Sequence, residues 1–496
     1  MTTEIGASTL KEKKEYKILG AIALVYWLAM FYFERFAFEP GAASQRIMTY
    51  IGVKLVSLVC IWLLLLFFVR AVRGWRDGGA AAGTLKYMLP LFVIVTGFWA
   101  VSDAYPFGAG DQANILEAAR SYSNLGGFFN YLTTLVPMVA MSIFPSGGFA
   151  VVFKILLVSM GVGYCIYRMG RVISPRASLL MAAPFLLPPG FYLSYNIHRC
   201  PMYAVLYLVY SCLLICDWLE GRKLTRGKFL LLCFMTAALT QWRSEGIYLL
   251  ILGPFLLYFA YRPALDRRGM ALALAVMLAA QVLVYIPQKL ESDAGEQSYN
   301  RDMPLFQCLI TNMERKGLDH EKNAADLAVV DQYLSVDEIH RLNEELGDYM
   351  YGDNIIVYYG LRHGASRETE EAFKKAVIRI VLKNPLVYIR TQLGAWSYIT
   401  TTSYHERKLD AIANIFQNLY VPTAWLLILW IWLLRKKKWT LWLATSGHLI
   451  HMAITTALLP ASYFKYYYSE YVYAVFSAIL VIGLVIRQRR TAKVLL

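Results

Sequence analysis

Two carboxylates, Asp103 and Asp111, stand eight positions apart in the stretch VSDAYPFGAGDQANILEAARSYSNLGG, residues 101–127. They follow a long apolar run, so they belong where a hydrophobic helix ends. An Asp in that place can act as a general base and take the proton from an attacking hydroxyl. Asp111 could instead cap the helical segment ANILEAAR that follows it. Asp103, followed by Tyr-Pro, could be no more than a chain-exit residue. With Glu117, the two could also hold a divalent cation. Other lone charges stand at the ends of apolar runs. They are Arg120, Arg199 in YNIHRCP beside His198, Arg243 and Glu245 in QWRSEG, and Lys465 in ASYFKYYYSEY. A charge at membrane depth is costly unless it meets a partner or a wet cavity. Any one cation could snorkel to the headgroups, and Arg243 could pair with Glu245. As a set, cations beside carboxylates suit a substrate that carries phosphate. The carboxylates are then left to act on a hydroxyl.

The elements that must position these residues are apolar. Of 496 residues, 58% are hydrophobic and 17% charged, below the quarter or so usual for soluble chains. Apolar runs near the length needed to cross about 30 Å of hydrocarbon recur along most of the chain. The expected class is an all-α polytopic membrane protein. The N-terminus MTTEIGASTLKEKKEYK is polar and is followed by a full span, so no cleavable signal peptide is expected.

We read twelve spans, at about 17–36, 48–70, 86–103, 149–168, 177–196, 201–219, 228–242, 246–262, 269–288, 412–434, 439–459 and 466–486. With the N-terminus inside, the basic clusters that include Lys13, Arg73, Arg171, Arg222, Arg267, Lys436 and Arg489 all fall on the cytoplasmic side. They account for the net charge of +15 without nucleic acid, which is not an expected partner. Both termini are then cytoplasmic, and the lone charges lie on the outer face. Residues 1–288 form an N-terminal membrane module with an external loop at 103–148. Residues 289–411 form an external, mainly helical insert, and 412–496 a C-terminal membrane module.

Within the external loop, 112–125 is expected as a surface helix and 128–145 as a hairpin or re-entrant segment broken at Pro137. In the insert, SVDE at 335–338 reads as a capping box. A helix over 367–383 should end before Asn384-Pro385. LVYIRTQLGAWSYI, 386–399, is amphipathic and suited to the interface. Of the seven cysteines, only Cys200 and Cys308 could meet outside the membrane, and no metal-binding spacing is present.

The segment GDQANILEAARSYSNLGGFFNYLTTLVP resembles the first external loop of the GT-C superfamily of membrane glycosyltransferases. Asp111, Ala119, Arg120, Gly126 or Gly127, Phe129 and Pro137 stand at matching places. WRSEG at 242–246 and YFKYYYSEY resemble two later motifs, with Ser244 in place of the usual proline and Lys465 in place of the commoner arginine. The resemblance implies an inverting transfer of a sugar from a polyprenyl-phosphate carrier to a hydroxyl of a glycan, lipid or protein acceptor on the outer face. Asp111 would be the base, with Asp103 as alternative or partner. Arg120, Arg199, Arg243 and Lys465 would hold the carrier phosphate, with Glu117, Glu245 and His198 supporting. No cofactor is implied beyond the divalent cation the acids could hold, and the lipid tail would lie among membrane lipids between spans.

Two other classes share some of these features. A polymerase or ligase for lipid-linked oligosaccharides needs arginines where the transferase has an Asp base. A transporter or flippase would show repeated halves and charged or broken helices at mid-membrane. No internal repeat is present, although His448 and His451 could line a proton path.

Overall fold

The computed structural model describes residues 2–101, 111–123, 131–188, 190–195, 199–262, 264–291, 303–346, 360–362, 364–398, 418–458 and 463–494. They are almost entirely helical. The β features among the described residues are confined to an isolated antiparallel bridge between Leu334 and Leu361.

The membrane part begins with α1 (Thr2–Phe33), α2 (Ile47–Arg73) and α3 (Ala80–Val101). A short α4 (Asp111–Arg120) and an apolar α5 (Tyr131–Ile143) lead to α6 (Gly147–Val172). Then come α7 (Arg199–Glu220), α8 (Arg226–Trp242), α9 (Leu249–Ala260) and α10 (Arg267–Glu291). The insert holds α11 (Met303–Arg315), α12 (His320–Val330), α13 (Val336–Leu346), α14 (Arg367–Lys383) and α15 (Pro385–Tyr398). Finally α16 (Tyr420–Arg435), α17 (Trp439–Leu458) and α18 (Tyr468–Val494) return to the bundle.

Among the described residues, six helical stretches are long and apolar enough to cross a membrane: Lys14–Phe36, Ile47–Arg73, Ala80–Val101, Gly147–Val172, Arg199–Glu220 and Phe464–Gln488. Val25, Val93, Ile251 and Val421 lie on outward faces of their helices and are exposed. Such surfaces are tolerable in lipid and aggregation-prone in water. The chain is an all-α, membrane-embedded protein.

α6 and α7 form the centre and are the most enclosed of the six stretches. α6 packs along α3 through a close backbone approach. A Cβ on Gly163 would lie 2.7 Å from the Met88 nitrogen and 2.8 Å from the Thr84 oxygen. Small residues at a crossing allow this in the absence of a hydrophobic drive between helices. α18 packs on α7 from the far end of the sequence, so the C-terminal helix completes the core that the middle of the chain begins.

Two readings of the sequence need correction. The span expected at 177–196 is broken into the short pieces Pro175–Ser178, Leu179–Ala182, Ala183–Leu186 and Gly190–Tyr195. Prolines at 184, 188 and 189 remove backbone donors there, and a Cβ on Gly190 would collide with the Pro184 carbonyl oxygen. Conversely, Pro137 does not break the described part of the 128–145 segment, 131–145. It lies inside α5, buried among neighbouring helices, and α5 packs on α2, α6 and α4. Neighbours of this kind let a membrane helix carry a proline.

The insert has a separate apolar core around Met313, Val330, Phe373 and Val377. α14 runs over Arg367–Lys383 and stops at Asn384, as its following proline requires. The capping box is half formed: the Glu338 amide donates to Ser335 Oγ at 3.3 Å, while the Ser335 amide donates to the Gly360 carbonyl. The Glu338 carboxylate is instead paired with Arg341. α15 exposes Leu386, Ile389 and Leu393 at helical spacing and buries Thr391 and Gln392. It rests on α17 by hydrogen bonds from Tyr388 and Gln392 to the Ala457 carbonyl.

Asp326 on α12 ties this insert together, accepting from Arg379 and Lys383 of α14 at 2.7 Å each. Burial pushes its carboxyl upward, but the two hydrogen-bonded cations prevail and hold it below the ordinary value of 3.8. Because the folded value is depressed, this contribution is present above pH ~4 and is lost as pH falls through the folded value. Protection of the α12 and α14 amides, relative to their intrinsic exchange rates, should therefore fall below about pH 4 in the full chain. Asp326→Asn should exchange faster at neutral pH and lose that pH dependence.

Candidate functional site

The site lies where α6, α7 and α8 meet the start of α18. α8 ends at Trp242, and Arg243 leaves it in an extended conformation before the tight turn Ser244–Tyr248. That reversal brings Glu245 back onto Arg243. Guanidinium NH2 donates to Glu245 Oε1 at 2.6 Å and Nε to Oε2 at 3.3 Å. NH1 reaches Cys200 Sγ at 3.3 Å. Arg243 is only 1% exposed. Its guanidinium lies over the rings of Tyr466, at 5.2 Å, and Tyr203, at 5.9 Å.

The same Tyr466 ring receives Lys465 Nζ at 5.4 Å, and Tyr463 receives it at 4.9 Å. WRSEG and YFKYYYSEY, more than 200 residues apart, thus share one aromatic ring. Arg199 opens α7 and lines a narrow cleft with Lys154, Trp242, Thr133 and Pro137. The cleft measures about 20 Å3, room for about one water. Lys154, buried on α6, donates from Nζ to the Leu193 carbonyl at 2.8 Å. Arg199 is also close enough to act electrostatically on Glu245.

Deeper in the bundle, His451 of α17 meets Glu470 of α18, Nδ1 to Oε1 at 2.7 Å. Ser469 Oγ donates to the same carboxylate oxygen at 2.8 Å. The imidazole stacks on Tyr203, 5.0 Å between centroids. His451 Nε2 has no hydrogen-bond partner among the described residues. With the carboxylate holding Nδ1–H, Nε2 would be the basic nitrogen; that tautomer is assigned from the hydrogen bond. One turn away, His448 is sandwiched between Tyr207 and Tyr473, 3.8 Å from each, and its Nε2 meets Ser211 Oγ at 3.2 Å.

No family model, curated protein or solved structure matches this chain.

The sequence-derived residues divide into groups. Arg199, Arg243, Glu245 and Lys465 are brought together. Arg243 also forms the pair with Glu245 that the spacing allowed, so much of its charge is met within the chain. Arg120 lies elsewhere: its Nε donates to the Ala37 carbonyl at 3.2 Å and its own carbonyl accepts from the Glu39 amide. It thereby ties α4 to the turn after α1. Glu117 is exposed on the same helix. The helix begins at Asp111, whose side chain lies outside the described residues, as do Asp103 and His198 altogether. Among the described residues no group of three His, Cys, Asp or Glu could hold a metal ion. Cys200 and Cys308 are free thiols, Cys200 beside Arg243 and Cys308 buried in the insert.

Sequence reasoning missed Lys154 and Glu470. A lone lysine inside the apolar run 149–168 is a signal in itself, because a charge there needs a partner. Glu470, inside the run 466–486, carried the same signal. It sits in an aromatic motif, and its partner is on another helix. Among the described residues, Lys154, Arg199, Arg243 and Lys465 stand at this end of the bundle with the carboxylates Glu245 and Glu470. Phosphate is the anion that forked guanidinium groups fit best.

Proposed function

We propose that this protein is an integral membrane glycosyltransferase with a GT-C-like arrangement of about twelve spans. It moves a sugar from a polyprenyl-phosphate donor to an acceptor hydroxyl on the outer face, in the synthesis of an envelope glycan or glycoconjugate. The observation that carries this reading is the cationic cleft of Lys154 and Arg199 beside the Arg243–Glu245 pair at one end of the bundle. A phosphate at the mouth of this cleft, whose interior has room for about one water, would have its charge offset as the glycosidic bond to it breaks. Asp111, at the start of α4, is the proposed base, with Asp103 as its alternative. The lipid tail would lie between helices, and the insert with α15 would cover the acceptor.

A second reading, a proton-coupled transporter, draws on the buried His448 and His451 within the bundle. The two readings separate in one experiment. Purified protein in liposomes is given a labelled polyprenyl-phosphate monosaccharide, and release of the sugar from the carrier is followed. Wild type should consume the donor, and Asp111→Asn at matched folding should lose about 10²–10⁴-fold in rate, with Asp103→Asn as the comparison. A donor that is moved between leaflets but never cleaved would sink the transferase reading in favour of transport.

A further inference from the structure

At the opposite end of α7 from Arg199 lies an open pocket of about 410 Å3, within the size range of small-ligand sites. It is lined by Arg171, Val172, Leu219, Glu220, Arg222 and Arg487. Three helices supply it. Arg171 is in the last turn of α6, Glu220 ends α7, and Arg487 comes from the end of α18. Three guanidinium groups therefore share a pocket with one carboxylate.

Glu220 is engaged from several sides. Its Oε1 lies 3.7 Å from Arg171 Nε, and its Oε2 accepts from Arg168 at 3.0 Å and from Arg222. Behind it, Asp217 is paired with Arg168 and Lys228. Among the described residues, the pocket and its floor thus hold five cations, Arg168, Arg171, Arg222, Lys228 and Arg487, with two carboxylates. Part of the basic character is explained by the helix C-termini, whose partial negative charge favours arginine. The pocket itself is not. Arg487 donates to the Val172 carbonyl, which fixes its stem at the wall. Arg171 and Arg222 keep 54% and 36% of their side-chain surface open.

We propose that this pocket binds a phosphate group at the membrane–water interface, on the face opposite the Arg243–Glu245 pair. Guanidinium groups from α6, α18 and the turn after α7 match phosphate oxygens in bidentate fashion. Their place at the ends of membrane helices puts them at headgroup depth. The phosphate could be carried by an anionic phospholipid or by a soluble phosphate compound. Neither source depends on the transferase reading.

The test uses the purified full chain in neutral detergent with short-chain phosphatidylglycerol, short-chain phosphatidylcholine and inorganic phosphate as separate probes. Wild type should bind phosphatidylglycerol about tenfold more tightly than phosphatidylcholine, and that preference should weaken at high salt. Arg171→Gln/Arg222→Gln should abolish the preference, and Arg222→Gln alone should reduce it. Lys436→Gln/Lys438→Gln, which removes exposed charges from the turn between α16 and α17, should leave it intact. Competition by millimolar inorganic phosphate would assign the site to a soluble compound; resistance to it would assign a lipid. The proposal is overturned if the arginine variants keep the wild-type preference, if the lysine variant loses it equally, or if wild type shows neither preference nor phosphate binding.

Discussion

Arg243→Ala should destabilise the protein by about 3–5 kcal/mol, the usual cost of leaving a buried charge without its partner. The partner is Glu245, whose carboxylate receives two hydrogen bonds from the guanidinium and is almost as enclosed as Arg243 itself. Removing the arginine also empties the space over the Tyr466 and Tyr203 rings. Thermal unfolding in detergent, or the denaturant midpoint, reads the change. The double variant Arg243→Met/Glu245→Met should be more stable than Arg243→Ala, because no charge is then stranded and the volume is kept. A loss below ~1 kcal/mol for Arg243→Ala would mean that water reaches the pair and screens it like a surface ion pair. The comparison bears on function too. If the double variant is stable yet inactive in donor cleavage, the pair is needed for chemistry and not only for folding.

Asp217→Ala should cost a similar ~3–5 kcal/mol at the other end of α7. The Asp217 carboxylate is fully buried and accepts from Arg168 at 2.7 Å, Lys228 at 2.6 Å and the Tyr261 hydroxyl at 2.7 Å. It joins α6, α7 and α8 with the end of α9. Alanine leaves Arg168, itself buried, with Glu220 at 3.0 Å and Tyr164 at 2.8 Å as its remaining partners. Asp217→Asn keeps an acceptor for Tyr261 and should lose less. Arg341→Ala provides the contrast. That guanidinium pairs with Glu338 and Glu345, but is 51% exposed, so its loss should change stability far less than that of Asp217. Equal effects for Asp217→Ala and Arg341→Ala would contradict the burial argument.

The difference between these residues shows which relations a sequence can carry. Arg243 and Glu245 are two positions apart, so their pairing was open to reading from QWRSEG. Asp217 and Arg168 are 49 positions apart, and nothing local marks Asp217 as the hub of a charge cluster. His451 and Glu470 are 19 apart on successive helices. Each was visible as a residue type, and neither as a partner.

Local rules determined much of the architecture from sequence alone. Apolar run length identified the membrane class, because a helix of given rise needs a given number of residues to cross hydrocarbon. Proline before a helical segment set the end of α14, and Ser335 capped α13, because both effects act within one turn. Two proline-containing stretches depart from what their local sequence predicts, in opposite directions. Around 177–196, several prolines and a backbone contact at Gly190 break the chain. At Pro137, packing against α2, α4 and α6 sustains the helix. A proline states only that one donor is missing; the neighbours decide whether the helix survives. The same holds for the site. The sequence showed lone cations at the ends of apolar runs, and their chemistry pointed to phosphate. Only the tertiary structure decided that Arg199, Arg243 and Lys465 converge while Arg120 turns to Ala37, and that Lys154 and Glu470 join them. Charges in an apolar medium must find partners wherever packing brings them, and packing is a property of the whole chain.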